Sequence, residues 1–204
     1  MIIVFEGIDR TGKDTQVELV YKWLRNMWVT NCYIHRYPKE GDTKIRNYLR
    51  GDVDLTDEEV AVEYLKEMVN EKEIIEKESE RGVVILNRYY FSTIAYQGQK
   101  IGFNELIADV QKLNLPKPDY VILLDGKPDE LAKRDSNKDR HEKNLVMQVN
   151  ARDNYHELAS NKFFEEKEWV IIDAGKPVEE VAKDVQEAIQ KMLSINANKG
   201  NSVV

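Results

Sequence analysis

The run Gly7-Ile8-Asp9-Arg10-Thr11-Gly12-Lys13 constrains this chain more than any other stretch, because it joins a short apolar segment, Ile2–Phe5, directly to one of helical spacing, Lys13–Trp28. In that strand-to-helix setting the pattern GxxxxGK reads as a phosphate-binding loop. Gly7 and Gly12 let backbone amides turn inward, the helix N-terminus adds partial positive charge, and Lys13 reaches the β- and γ-phosphates of ATP or a close relative. Gly7, Thr11, Gly12, Lys13, Asp14 and Thr15 are therefore the expected nucleotide contacts. The residue after the lysine is ordinarily Ser or Thr, whose hydroxyl ligates Mg²⁺; here it is Asp14. A carboxylate is also a hard oxygen ligand, but beside a triphosphate it helps only with the metal between them. Asp14 is equally a first-turn helix acid stabilised by the helix dipole, and the two readings are compatible.

Four more runs, Cys32–Tyr37, Val83–Leu86, Tyr120–Leu124 and Trp169–Ile172, have strand length and are mostly apolar on both faces, the pattern of buried parallel strands. Segments of helical spacing lie between them: Asp57–Glu80, Asn104–Leu113, Asn144–Phe164 and Val178–Met192. The expected fold is therefore α/β, a P-loop NTPase-type three-layer α/β/α sandwich around a central five-stranded parallel sheet. Thr56-Asp57-Glu58-Glu59 is a helix-start signal, and Arg81-Gly82 a helix end with an expected left-handed glycine. Leu115-Pro116-Lys117-Pro118-Asp119 leads stiffly into the fourth strand. One domain is expected over 1–194, and the Asn-, Ser-, Gly- and Lys-containing tail, 195–204, is expected to be disordered.

At 204 residues with 42% hydrophobic and 33% charged residues, such a chain can build one core without disulfides or a structural metal. Cys32 is the only cysteine, which excludes an internal disulfide framework and favours a reducing, cytoplasmic setting. A net charge of −7 speaks against a nucleic-acid partner, and the absence of any long apolar run against a membrane one.

With Phe5-Glu6-Gly7-Ile8-Asp9-Arg10-Thr11-Gly12-Lys13 and Thr15-Gln16, the chain resembles the thymidylate kinases. The likeness continues in order through Arg36-Tyr37-Pro38, Asn87-Arg88-Tyr89-Tyr90-Phe91-Ser92, Ala95-Tyr96, Leu115-Pro116-Lys117-Pro118-Asp119, Ala132-Lys133-Arg134, Asp139-Arg140 and Asp173-Ala174-Gly175-Lys176, to about Ile189. The resemblance implies transfer of the ATP γ-phosphoryl group to the 5′-phosphate of thymidine monophosphate (dTMP), with Mg²⁺ as cofactor and a homodimer as the working form. It implies that Arg10 faces the transferring group, in keeping with an arginine finger supplied in cis, and that Asp9 meets the substrate ribose. Lys13, Arg10 and Arg88 would carry catalysis, with Arg88 also clamping the acceptor phosphate. The substrate set is completed by Pro38, by Tyr64 stacked on thymine, and by Ser92, Tyr96 and Gln97 at the base and the sugar 2′ position. Residues 133–143 correspond to a lid over ATP carrying Arg134 and Arg140, and Gly175 to the loop flanking adenine. From spacing alone, Tyr64 and Tyr96 would be ordinary core aromatics.

Four positions depart from the family pattern. Asn87 stands where an Asp helps hold Mg²⁺ or positions the acceptor phosphate, Asp14 follows the loop lysine, and Glu40 and Met68 replace arginines expected at the acceptor phosphate. Asp14 and Asn87 read as an exchange, the metal-site carboxylate having moved from the strand end to the start of the helix. The same changes fit a nucleotide-binding paralogue with little or no activity, or a kinase for a different acceptor, so three readings stand at this point.

Overall fold

The computed structural model describes residues 1–133 and 144–200, with side chains described as far as Ser194. Among these residues, β1 (Ile2–Glu6), β2 (Cys32–Arg36), β3 (Val83–Asn87), β4 (Tyr120–Asp125) and β5 (Glu168–Asp173) form one parallel sheet in the order β2-β3-β1-β4-β5. Each strand overlaps one of the five expected from sequence. The helices are α1 (Lys13–Asn26), α2 (Lys44–Arg50), α3 (Asp57–Arg81), α4 (Tyr90–Ile101), α5 (Phe103–Lys112), α6 (Pro128–Leu131), α7 (Leu145–Asn161) and α8 (Val178–Gly200). The last runs past Met192, where the apolar spacing placed its end.

Alternation along each strand divides the core in two. Val4, Leu86 and Val121 face one side, where they join Met68 of α3, Ile94 of α4, Leu106 of α5 and Tyr155 of α7. Ile3, Phe5, Ile85 and Ile122 face the other, against Val17 and Leu24 of α1 and Val185 and Ile189 of α8. Helices cover both faces of a wholly parallel sheet, which gives the P-loop NTPase-type three-layer fold.

Local chemistry explains most of the boundaries. α3 opens with a full capping box: Glu59 N–H donates to Thr56 Oγ1 at 3.2 Å and Thr56 N–H to Glu59 Oε2 at 2.9 Å. Gly82, which ends α3, is not left-handed as expected but extended, with φ −173°. Glycine is needed there for space, since a Cβ would lie 2.0 Å from the Asn31 carbonyl oxygen. α2 was not anticipated, although Thr43 caps it through Arg46 N–H at 3.2 Å. α4 was not anticipated either, and no side chain of its own N-cap residue, Tyr89, makes a cap hydrogen bond.

Candidate active site

Phe5 of β1 pairs with Asn87 of β3, so the carboxyl ends of these neighbouring strands are level and the loops leaving them share one space. That space is a cavity of about 700 Å³ lined by Asp9, Arg10, Gly12, Lys13, Asp14, Thr15, Pro38, Tyr64, Asn87, Arg88, Ser92, Tyr96 and Gln97. The position is the usual ligand crevice of an open parallel sheet. Gly7 and Thr11 stand in the loop itself. Gly7 has φ +141° and would place a Cβ 2.4 Å from the Leu124 carbonyl oxygen, so the loop closes onto β4 only with glycine. Gly175 is not part of the cavity lining; its N–H donates to Asp173 Oδ1 at 2.8 Å in a turn after β5. Arg134 and Arg140, with all of the expected lid beyond Lys133, lie outside the described residues.

Lys13 is 6% exposed, and its ammonium donates to the Gly7 and Ile8 carbonyls at 2.9 and 2.7 Å and to Thr11 Oγ1 at 3.2 Å. Burial, reinforced by the nearby Arg88 charge, pulls its pKa down to about 7 against the partial support of Asp9, Glu6 and Asp14. Arg10 has a left-handed backbone, φ +67°, and its guanidinium donates to the Ala132 carbonyl at 3.1 Å.

Arg88 is also left-handed, with φ +65°, a conformation costing a non-glycine residue about 1–2 kcal/mol. Its guanidinium pairs with Asp9, donates to Gly7 O at 3.2 Å and to Ser92 Oγ at 3.1 Å, and lies 5.5 Å from the Tyr96 ring centroid. Gln148 holds Asp9 from both sides: it accepts from Asp9 N–H at 3.1 Å and donates to Asp9 Oδ2 at 2.7 Å, while Tyr96 Oη donates to the same Gln148 oxygen at 3.1 Å. α7, which brings Gln148, is tied to the end of β4 by a bidentate pair, Arg152 Nε and an Arg152 terminal nitrogen to Asp125, both 2.7 Å. Sequence reasoning missed Gln148, because a lone polar residue on a helix carries no local signal of what it meets.

The departures from the family pattern fall differently in space. Asn87 Nδ2 donates to Asp14 Oδ1 at 2.6 Å, and Arg36 donates to the same oxygen at 2.8 Å. Glu40 does line the cavity, but Met68 is wholly buried in the apolar core and is not part of the lining. Two cations not expected as site residues line it instead. One is Arg36; the other is Arg46 of α2, which donates to the Lys39 and Pro38 carbonyls at 3.0 and 2.9 Å. Arg46 was hidden because α2 was.

Thr93 and Gln97, one turn apart on α4, are each 1% exposed and line the cavity. The Thr93 hydroxyl and both polar atoms of the Gln97 amide have no hydrogen-bond partner among the described residues. A buried polar group left so costs about 1–3 kcal/mol, which a ligand with a complementary polar edge would recover.

For a divalent cation, the donors on hand are the Asp14 carboxylate, the Asn87 amide oxygen and the Thr15 hydroxyl. No cluster of three His, Cys, Asp or Glu able to hold a metal occurs among the described residues. A single carboxylate with neutral oxygens suits Mg²⁺ carried in by phosphates and does not suit an all-protein cage.

Residues 5–185 match the family model described as thymidylate kinase. The chain belongs to the thymidylate kinase family. It is 31% identical over 204 residues to a probable thymidylate kinase of Archaeoglobus fulgidus, covering 97% of this chain and 99% of that one. It is 27% identical over 199 residues to the thymidylate kinase of Danio rerio, covering 95% and 92%, and 28% identical over 190 residues to that of Homo sapiens, covering 91% and 87%. Family members use ATP as phosphoryl donor, which gives the phosphate loop its ligand. Among the described residues no helix is long and apolar enough to cross a membrane.

Proposed function

We propose that this chain is a Mg²⁺-dependent kinase that transfers the γ-phosphoryl group of ATP to dTMP, yielding dTDP and ADP. One observation carries the reading: a single cavity gathers the loop cations Lys13 and Arg10, the strand-end cation Arg88, and the partnerless amide of Gln97. Phosphate groups and a pyrimidine edge are what such a lining can satisfy together.

Phosphoryl transfer asks a protein mainly for positioning and charge neutralisation. Lys13 and the loop amides hold the β- and γ-phosphates. Arg10 meets the charge that spreads over the transferring group as an acceptor phosphate oxygen bonds to the γ-phosphorus and the bond to the β–γ bridging oxygen breaks. Arg88 fixes the acceptor phosphate, with Arg46 supplying positive charge absent at residues 40 and 68. Gln97 and Thr93 satisfy the base edge, Tyr64 stacks on it, and Asp9 and Tyr96 border the sugar. Asp14, with Asn87 and Thr15, would hold Mg²⁺, which would supply neutralisation of the phosphate charge. The lid over ATP, including Arg134 and Arg140, and the loop at Gly175 belong to the same reading.

A homodimer as working form is supported by family membership and by Val62 and Val69, exposed large apolar residues on α3. The free, buried Cys32 fits a reducing cytoplasm. Glu40 in the cavity wall favours one competing reading, an acceptor without a 5′-phosphate. ADP formation from ATP and Mg²⁺ across a panel of nucleoside monophosphates and nucleosides separates the two. Maximal turnover on dTMP is expected, and a preference for thymidine or another nucleoside would overturn the proposal.

A further inference from the structure

Glu6 ends β1 and is fully buried, outside the cavity lining. Its Oε1 accepts the Tyr89 N–H at 2.8 Å and the Ser92 N–H at 3.3 Å. Its Oε2 accepts the Ser92 hydroxyl at 2.6 Å and the Tyr155 hydroxyl at 2.8 Å. The Tyr89 N–H is that of the N-cap residue of α4 and the Ser92 N–H that of its third helical residue, which also reaches the Tyr89 carbonyl at 2.9 Å; they are the two positions that a local capping box would serve. Tyr89 holds the cap position without making a cap bond, so the carboxylate caps this helix from a strand far away in sequence.

Arg88 immediately precedes that cap, in its left-handed conformation. Such a conformation persists only where the surroundings over-determine it. β1 supplies the constraint on both sides: Arg88 N–H donates to Phe5 O at 2.9 Å and the next amide, Tyr89 N–H, to Glu6. Ser92 completes the connection, its hydroxyl donating to Glu6 and accepting from the Arg88 guanidinium at 3.1 Å. The amide after Arg88 and the Ser92 hydroxyl that meets its guanidinium thus both end on the Glu6 carboxylate, beside the direct holds from Phe5 O, Asp9 and Gly7 O.

We propose that Glu6 is the positioning residue for Arg88, fixing its guanidinium for the acceptor phosphate by capping α4 and orienting Ser92. The inference rests on the reading that Arg88 holds that phosphate. Glu6 is not part of the cavity lining, and its bonds to Tyr89 and Ser92 connect it to the acceptor phosphate through the segment 88–92. Its removal should therefore be felt most by the phosphate of the acceptor, which Arg88 meets directly, and less by the nucleoside, which Thr93 and Gln97 meet further along α4.

The test is calorimetric titration of the purified chain with dTMP and with thymidine. The wild-type chain is expected to bind dTMP the more tightly. Glu6→Gln keeps an oxygen for the two N–H groups but sets an NH₂ against the two hydroxyls; it is expected to weaken dTMP binding about tenfold and leave thymidine within about twofold. In an Arg88→Ala background, Glu6→Gln should change neither further. Tyr155→Phe, which removes one donor to Oε2 and keeps the ring, should weaken dTMP binding at least twofold without affecting thymidine, and it carries the test if Glu6→Gln does not fold. Equal losses for both ligands, or none, would mean a merely structural carboxylate and overturn the inference. A wild-type chain that binds dTMP no better than thymidine instead removes the acceptor-phosphate reading, and the inference with it.

Discussion

Asn87 donates its side-chain amide to Asp14 at 2.6 Å, so two of the positions at which this chain departs from its family are in direct contact. Restoring the family aspartate alone, Asn87→Asp, would set two carboxylates at that distance beside a triphosphate. Mg²⁺-dependent turnover is expected to fall at least tenfold at neutral pH, since like charges so close cannot both ionise cheaply. Adding Asp14→Thr should bring turnover back to the wild-type level or above. A dead double variant beside two active single ones would sink the idea of an exchange.

Glu40 lines the cavity as an anion where the family pattern has an arginine. Glu40→Arg should tighten dTMP binding by about tenfold or more, on the basis of roughly 1.5–3 kcal/mol per charge-assisted hydrogen bond. Met68→Arg should instead destabilise the fold, because that side chain is wholly buried and an unpaired charge there has no solvent. If Arg46 makes up for the missing cations, Arg46→Ala should raise the KM for dTMP about tenfold and leave that for ATP unchanged. Steady-state kinetics of the three variants decides.

Burial, with the nearby Arg88 charge, lowers the Lys13 pKa to about 7, and a bound polyphosphate would raise it again. Between those two values binding must take up a proton, so ATP affinity should fall as pH rises above about 7. Calorimetry at pH 8 in buffers of differing ionisation enthalpy should report uptake approaching one proton. Lys13→Arg, charged throughout, should lose that dependence. Uptake near zero in the wild-type chain would show that Lys13 does not titrate there.

His35 sits between two acids of α3, Nδ1 3.1 Å from Glu71 and Nε2 2.7 Å from Glu78. Glu71 also accepts from Tyr37 Oη at 2.8 Å and pairs with Lys39 at 2.5 Å. Burial opposes charge on His35, but its two acidic partners outweigh this and raise its pKa above 6.5. Burial would likewise raise Glu71, yet bonds from His35, Lys39 and Tyr37 hold it down at about 2 against an ordinary 4.5. The stabilisation from His35 is full below 6.5 and is lost as pH rises through the folded value. That from Glu71 is present above 4.5 and is lost as pH falls toward about 2. Urea unfolding of His35→Gln should show a loss of about 1–2 kcal/mol at pH 6 that shrinks as pH rises. A loss independent of pH would refute the charge on His35.

The sheet was legible in the sequence because buried parallel strands are apolar on both faces, and the loop because Gly7, Gly12 and Lys13 act locally. Thr56 and Glu59 marked the start of α3 for the same reason. What escaped depended on distant partners. Tyr90–Ile101, rich in aromatic and β-branched residues, has no cap of its own and reads as no helix until Glu6 is placed beside it. Arg46 disappeared with α2, and Gln148 can be given a role only after α7 is seen against Asp9. Met68 was counted as a missing cation by register alone, whereas its depth in the core takes that position out of the cavity.

Because the carboxylate that starts α4 belongs to β1, the helix bearing Gln97 and Thr93 lacks its start until β1 and β3 have joined. Donor and acceptor recognition therefore hang on one strand: β1 runs into the phosphate loop and also supplies the carboxylate against which the acceptor-binding helix begins.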